Sequence, residues 1–152
     1  MRTKLLILIA FVTLSLNSKS ESYVYRGNSH YLSDIVATWD GKYLYSGRST
    51  YMGDVILTWD GKHIYNGRSS YSSDIVCSWD GKHLYKGRSS YTGDILYTWD
   101  GRHVFSGRSS YMSDILYTIN LEHIFRGRST YVSDILYTMD GPIPVPVLMF
   151  LL

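Results

Sequence analysis

Asp34-Ile35-Val36-Ala37-Thr38-Trp39-Asp40-Gly41-Lys42-Tyr43-Leu44-Tyr45 sets two short β-branched and aromatic runs on either side of an Asp-Gly pair. Runs of this kind favour strands, and Asp-Gly is the strongest local signal for a two-residue hairpin turn, whose central residues both need positive φ. The same phrase returns at Asp94-Ile95-Leu96-Tyr97-Thr98-Trp99-Asp100-Gly101-Arg102-His103-Val104-Phe105. Taken literally, the turn pairs Trp39 with Lys42, Thr38 with Tyr43, Ala37 with Leu44, Val36 with Tyr45 and Ile35 with Ser46. One face then carries Ile35, Ala37, Trp39 and Leu44, the other Val36, Thr38, Tyr43 and Tyr45. Neither face is cleanly polar, so the hairpins are expected to be covered on both sides. Glycine and β-branched content argues against helix, and almost none is expected.

Working outward, the phrase belongs to a twenty-residue unit: Tyr31–Thr50, Tyr51–Ser70, Tyr71–Ser90, Tyr91–Ser110, Tyr111–Thr130, and a truncated copy from Tyr131. Such a period marks an array of one supersecondary unit that cannot bury its apolar surface alone. The expected fold is all-β: six tandem hairpin repeats in a closed, radially pseudo-symmetric arrangement over residues 21–141, with an open β-solenoid as the alternative. The stretch Gly-Arg-Ser-Ser-Tyr-x-Ser/Gly-Asp between hairpins favours a turn with side-chain-to-backbone bonds, and an Arg48–Asp54 ion pair is expected to bracket it. Position 46 varies to Asn66, Lys86, Ser106 and Arg126, and position 32 to Met52, Ser72, Thr92, Met112 and Val132, which suits solvent-facing sites. One turn departs from the pattern. Ile119-Asn120-Leu121-Glu122 stands in place of Trp-Asp-Gly-Lys, and since Leu121 would be strained at positive φ, a remodelled turn is expected there.

The two ends carry further information. Residues 1–20 combine a basic start (Arg2, Lys4), an apolar run from Leu5 to Leu16 and the small residues of Ser18-Lys19-Ser20, which together predict a signal peptide and export to the cell envelope or the outside. The run is too short for a spanning helix. Removing Arg2, Lys4 and Lys19 leaves 12 basic against 13 acidic residues and moves the formal charge from +2 to −1. A near-neutral chain with interspersed signs lacks the electrostatic footprint of a nucleic-acid binder. After the leader, Tyr23 to Ser29 matches the second strand of a repeat, as in His83 to Ser89, while Asp134 to Met139 is a first strand whose expected partner is replaced by Pro142-Ile143-Pro144-Val145-Pro146. Prolines cannot donate to a ladder. Pairing the two orphans completes a sixth hairpin and hides both edges. The apolar tail, residues 142–152, is then expected to plug the inner faces of the hairpins, with an envelope anchor or a subunit contact as competing roles.

Residues that could carry chemistry recur rather than stand alone. Each full repeat holds Ser, Asp and usually His, but a catalytic site needs one constellation held differently from its surroundings. His63, His83, His103 and His123 share one strand position and read as a ladder of half-buried rings on neighbouring aromatics. As a metal ring they lack a fixed carboxylate beside them, and the Asp-Gly turns offer too few oxygens for calcium. No metal or cofactor is expected. Cys77 is the only cysteine, so it forms no disulfide within the chain and reads as a small buried hydrophobe. The aromatic rows are the remaining candidates for ligand binding. Trp39, Trp59, Trp79 and Trp99 sit beside the turn, and Tyr51, Tyr71 and Tyr91 recur with Tyr31, Tyr111 and Tyr131 at the other end. Such rows cradle sugars or quaternary ammonium groups in some exported proteins, or fill the space between units as core.

Around Trp-Asp-Gly-Lys-His-Ile-Tyr, from Tyr23 to Gly141, the chain resembles the tandem β-hairpin repeats of bacterial β-flower proteins, in which hairpins radiate about a pseudo-symmetry axis. That resemblance implies a fold and no activity. Choline-binding repeats are a more distant likeness, and since their paired-Trp Gly-x-Trp-Tyr-Tyr signature is absent, no choline site follows. The functional expectation is an exported, non-enzymatic repeat protein acting as a structural or protein-binding module, with a carbohydrate- or small-ligand-binding, lectin-like domain using the Trp and Tyr rows as the alternative. The residues assign no partner; a glycan and a cell-envelope protein are the candidates.

Overall fold

The computed structural model describes residues 20–152; the predicted leader, apart from Ser20, lies outside the described residues. Strand β1 (Ser22–Arg26) is followed by five strand pairs: β2 (Ile35–Trp39) and β3 (Tyr43–Ser46), β4 (Val55–Trp59) and β5 (His63–Asn66), β6 (Ile75–Trp79) and β7 (His83–Lys86), β8 (Ile95–Trp99) and β9 (His103–Ser106), and β10 (Ile115–Ile119) and β11 (His123–Arg126). Strand β12 (Ile135–Met139) and helix α1 (Val145–Leu151) complete the chain. Every strand pairs antiparallel with its sequence neighbours, and β1 pairs with β12, so the sheet is a closed barrel. The open solenoid is thereby set aside.

The hairpin register differs from the literal two-residue turn by two residues. Trp39 pairs with Leu44, Thr38 with Tyr45 and Ala37 with Ser46. The cause is the Asp40 side chain, whose Oδ1 accepts the N–H groups of Lys42 at 2.8 Å and Tyr43 at 2.7 Å. This side-chain-closed turn needs positive φ only at Gly41 (95°), and no described non-glycine residue has positive φ. A slip of two leaves each side chain on its face. A bulge does not. Across the neighbouring repeat Leu44 pairs with Leu57 but Tyr45 with Val55, so Ile56 is passed over, as Val36 is beside β1. Val36 and Ile56 therefore pack toward the core. Ile35 joins the face of Thr38 and Tyr45, not that of Ala37 and Trp39.

Both faces are covered, as the two-sided apolar pattern requires. Inside, Ala37, Trp39, Leu44 and their equivalents surround Val147, Leu148 and Met149 of α1. Outside, Thr38 and Tyr45 are buried, and Thr38 Oγ1 donates to the Gly47 carbonyl of the connecting loop at 2.7 Å. The tail is thus the plug the orphan strands call for, but in helical form. Inside a closed barrel no strand edge is open to it, and a helix satisfies its own backbone groups. Pro146 sits in the first turn, where its missing N–H costs nothing.

The sixth hairpin is closed without a covalent turn. Val24 pairs with Met139, Tyr25 with Thr138 and Arg26 with Tyr137. Asp140 takes the part of Asp40, accepting the Tyr23 N–H at 2.6 Å and the Tyr25 hydroxyl at 3.0 Å. Gly141 lies so close that a Cβ there would meet Ser22 Oγ at 2.2 Å.

Candidate functional site

Each connecting loop is a small rigid clasp built on one serine. Ser49 Oγ accepts the Tyr51 N–H at 3.1 Å and donates to the Asp54 carboxylate, while Asp54 N–H returns to the Tyr51 carbonyl at 2.9 Å across the 3-10 turn Met52–Asp54. Both backbone groups of Tyr51 are held, yet its ring projects into solvent. The same bonds recur from Ser29–Asp34 to Ser129–Asp134. Tyr31, Tyr51, Tyr71, Tyr91, Tyr111 and Tyr131 are all between 74% and 80% exposed. Isolated apolar side chains on a surface need no explanation, but six identically clamped and exposed rings do. The expected Arg48–Asp54 ion pair is not what holds the loop. Ser49 occupies that carboxylate, and Arg48 stays exposed, with its charge acting on Tyr23 of the adjoining strand. In the next repeat Tyr43 has its pKa lowered, first by Lys42 and also by Arg68.

The Trp and Tyr rows do not converge. Trp39 is buried, and Trp59, Trp79 and Trp99 pack partly buried against the core at the turn end of the barrel. Tyr51, Tyr71 and Tyr91 stand at the other end of the strands. Tyr31, Tyr111 and Tyr131 complete their ring, and the signal that groups them was the repeat position itself.

At the turn end, a carboxylate does lie beside three of the four histidines, contrary to expectation, while His123 has Asn120 in its place. Asp60 Oδ1 accepts the N–H groups of Lys62 and His63, while Oδ2 accepts the Tyr65 hydroxyl at 2.8 Å and lies 3.0 Å from His63 Nδ1. The longer turn causes this by folding the carboxylate back over residue 63. Asp80 with His83 and Asp100 with His103 repeat it at 3.0 Å and 2.9 Å. Burial opposes ionisation of Asp60, but the bonds from His63, Lys62 and Tyr65 outweigh it and hold its pKa down to about 2; Asp80 is lowered by the same set of bonds and Asp100 by those from His103 and Arg102 without a tyrosine. The His63 ring meets Tyr65 edge-on at 6.1 Å, as in a ladder of stacked aromatics. Among the described residues no three His, Cys, Asp or Glu side chains are grouped to hold a metal ion.

Ser, His and Asp of one repeat fall into two clusters at opposite ends of the strand. Ser69 is bonded to Asp74 in the loop, and His63 faces Asp60 at the turn. Cys77 is buried, and burial pushes its pKa up to about 11, which suppresses thiolate reactivity.

A family model described as "6-fold beta flower protein" matches residues 24–148. The chain belongs to the 6-fold β-flower family. No curated protein and no solved structure matches it. In this β-flower barrel the sixfold character resides in the outward loops, where all six clasps keep the same bonds. The fifth turn, expected to be remodelled because Leu121 replaces glycine, is not: it keeps the register and the bonds of the other turns, because the side-chain-closed turn does not force Leu121 to positive φ. Asn120 Oδ1 accepts the N–H groups of Glu122 at 2.9 Å and His123 at 2.7 Å, while Leu121 avoids positive φ.

Proposed function

We propose that this β-flower protein is an exported, non-enzymatic binding or structural module that engages an envelope or extracellular protein through its six tyrosine-bearing loops. The observation that carries this reading is the ring of six exposed tyrosines, each clamped at its N–H and carbonyl. A rigid tyrosine offers large amphipathic contact area at low entropic cost, and six linked copies convert weak single contacts into avidity. Export is supported by the make-up of residues 1–20. A non-enzymatic role is supported by the separation of Ser69 from His63 and by Asp60, Asp80 and Asp100 being engaged by their own turns. Neither metal nor cofactor enters the proposal.

A lectin-like role is the second reading, favoured by exposed ring faces with Arg48, Arg68 or their equivalents three residues before them. Of the residues singled out in the sequence, Tyr51, Tyr71 and Tyr91 would serve in either reading, and Trp39, Trp59, Trp79 and Trp99 are assigned to the core. The test is a series in which two, four and six rim tyrosines are changed to Ser, with labelled protein applied to host cells, to extracted envelope proteins and to a glycan array. Binding to envelope protein should fall steeply along the series while the melting temperature holds. Undiminished binding by the six-site variant defeats the proposal, and loss confined to the glycan array favours the lectin reading. N-terminal sequencing of protein from the native host should return a start near Glu21; a start at Met1 removes the export claim.

A further inference from the structure

The barrel departs from sixfold regularity at the turn end beside the fifth and sixth repeats. Repeats one to four set Trp39, Trp59, Trp79 and Trp99 against the core, whereas the same position holds Ile119 and then Met139. The smaller side chains leave a cavity of about 510 Å³ between these strands and the tail, walled by Trp99, Ile119, Met139, Ile143 and Leu148. That volume falls within the range of small-molecule sites. Leu121, which replaces the turn glycine, stands at its rim and is 93% exposed.

The polar groups at this mouth have also changed sign. Elsewhere the turn aspartate spends one oxygen on backbone N–H groups and presents the other as an acceptor, as Asp60 and Asp80 do to Tyr65 and Tyr85. At Asn120 the oxygen accepts the N–H groups of Glu122 and His123, which leaves its Nδ2 as a donor. Arg102 is the one charged residue in the cavity wall, and Glu122 lines the adjoining depression with Asp140 instead. An apolar chamber whose mouth offers a guanidinium and an amide donor, with the usual carboxylate removed, is matched to one chemistry.

We propose that this cavity binds a small aromatic or branched apolar monoanion, with its body against Trp99, Ile143 and Leu148 and its carboxylate or sulfonate toward Arg102 and Asn120. The site is distinct from the tyrosine ring and does not depend on its function.

A matched pair of fluorescent probes tests this: 1-anilinonaphthalene-8-sulfonate and its neutral analogue N-phenyl-1-naphthylamine, titrated into the folded protein. The sulfonate should saturate at one site per chain. Arg102→Gln and Asn120→Asp should each weaken it at least tenfold while leaving the neutral probe within twofold, and Lys62→Gln, the same position in the second repeat, should change neither. Ile119→Trp, which restores the repeat's indole, should abolish both. Should that variant not fold, amide shifts in the unsubstituted protein decide: perturbation confined to Asn120, Leu121, Gly141 and Ile143 supports the site. Equal effects of Lys62→Gln and Arg102→Gln, an unchanged sulfonate affinity in Asn120→Asp, or shifts spread over every turn overturn it.

Discussion

Asp140→Ala tests the join that turns a row of hairpins into a barrel. The Asp140 carboxylate holds β1 through the Tyr23 N–H at 2.6 Å and the Tyr25 hydroxyl at 3.0 Å, where the other hairpins have a covalent turn. Tyr25 is only 5% exposed, so its hydroxyl would be left buried without that partner. An unsatisfied buried donor costs about 1–3 kcal/mol and the lost backbone bond about 1 more, giving about 2–4 kcal/mol in all. Asp60→Ala removes the equivalent carboxylate from a hairpin whose strands stay covalently linked. Opening β1 releases several residues at about 1–2 kcal/mol of backbone entropy each, and no such reward follows from loosening a closed turn. The two variants therefore separate by where they open as much as by how far they are destabilised. Urea unfolding should show the loss in Asp140→Ala, and hydrogen exchange should show the β1 and β12 amides unprotected below the global unfolding energy. In Asp60→Ala the β4 and β5 amides should exchange only with global unfolding. A loss under about 1 kcal/mol in Asp140→Ala with β1 still protected would refute the reasoning.

The plug has its own control: Leu148→Ala should cost about 2–5 kcal/mol in urea unfolding, as buried leucines do, and Phe150→Ala, 36% exposed at the barrel mouth, under about 1. Equal losses would mean that the tail is not core. Trp79→Ala should cost about 3–5 kcal/mol by thermal or urea melts, while His83→Gln, whose pair with Asp80 is solvent-accessible, should stay within about 1. Asp60 has a folded pKa near 2 against an ordinary 3.8, and Asp80 and Asp100 are also lowered, so their contribution is present above the ordinary value and lost as pH falls toward the folded one. Stability measured from pH 7 downward should hold to about pH 5 and drop between about 4 and 2; a loss already under way at pH 6 would contradict this assignment. Deleting residues 21–30 should expose the edges of β2 and β12 and cause aggregation seen by light scattering, and a soluble, equally stable monomer would contradict the closed sheet.

The hairpins, their number, the pairing of β1 with β12 and the plugging role of the tail were all readable, because each follows from period, turn signals and strands left without mates. The register within a hairpin was not. Asp-Gly fits both a tight two-residue turn and a longer one closed by the aspartate side chain, and the choice lies in the bonds from Lys42 and Tyr43 to Asp40. Several misreadings share that root. The longer turn brings Asp60 over His63, which strand spacing alone does not suggest. The bulge at Val36 and Ile56 sends Ile35 to the outer face, and nothing in an apolar run marks which residue a partner strand will skip. Arg48 and Asp54 bracket the loop in sequence, but the nearer Ser49 hydroxyl reaches the carboxylate first and also holds the Tyr51 N–H.

The drift among repeats then acquires a physical meaning. Six equal hairpins enclose one helix, and a single helix cannot be sixfold, so the inward positions cannot all be alike. Ala37, Leu57 and Cys77 occupy one half of the barrel and are buried, while Tyr97, Tyr117 and Tyr137 occupy the other and are half-buried. Small side chains in one half give α1 room, and tyrosines in the other fill what the helix leaves. The loop clasps lie outside the barrel and face no such asymmetry. The Ser–Asp clasp and its exposed tyrosine recur in all six copies although the rings themselves touch little of the fold. Packing therefore accounts for the variation inside, and the uniformity of the clasp and its tyrosine, beside exposed positions such as 32 and 46 that do vary, is left to be explained by what the ring of tyrosines meets.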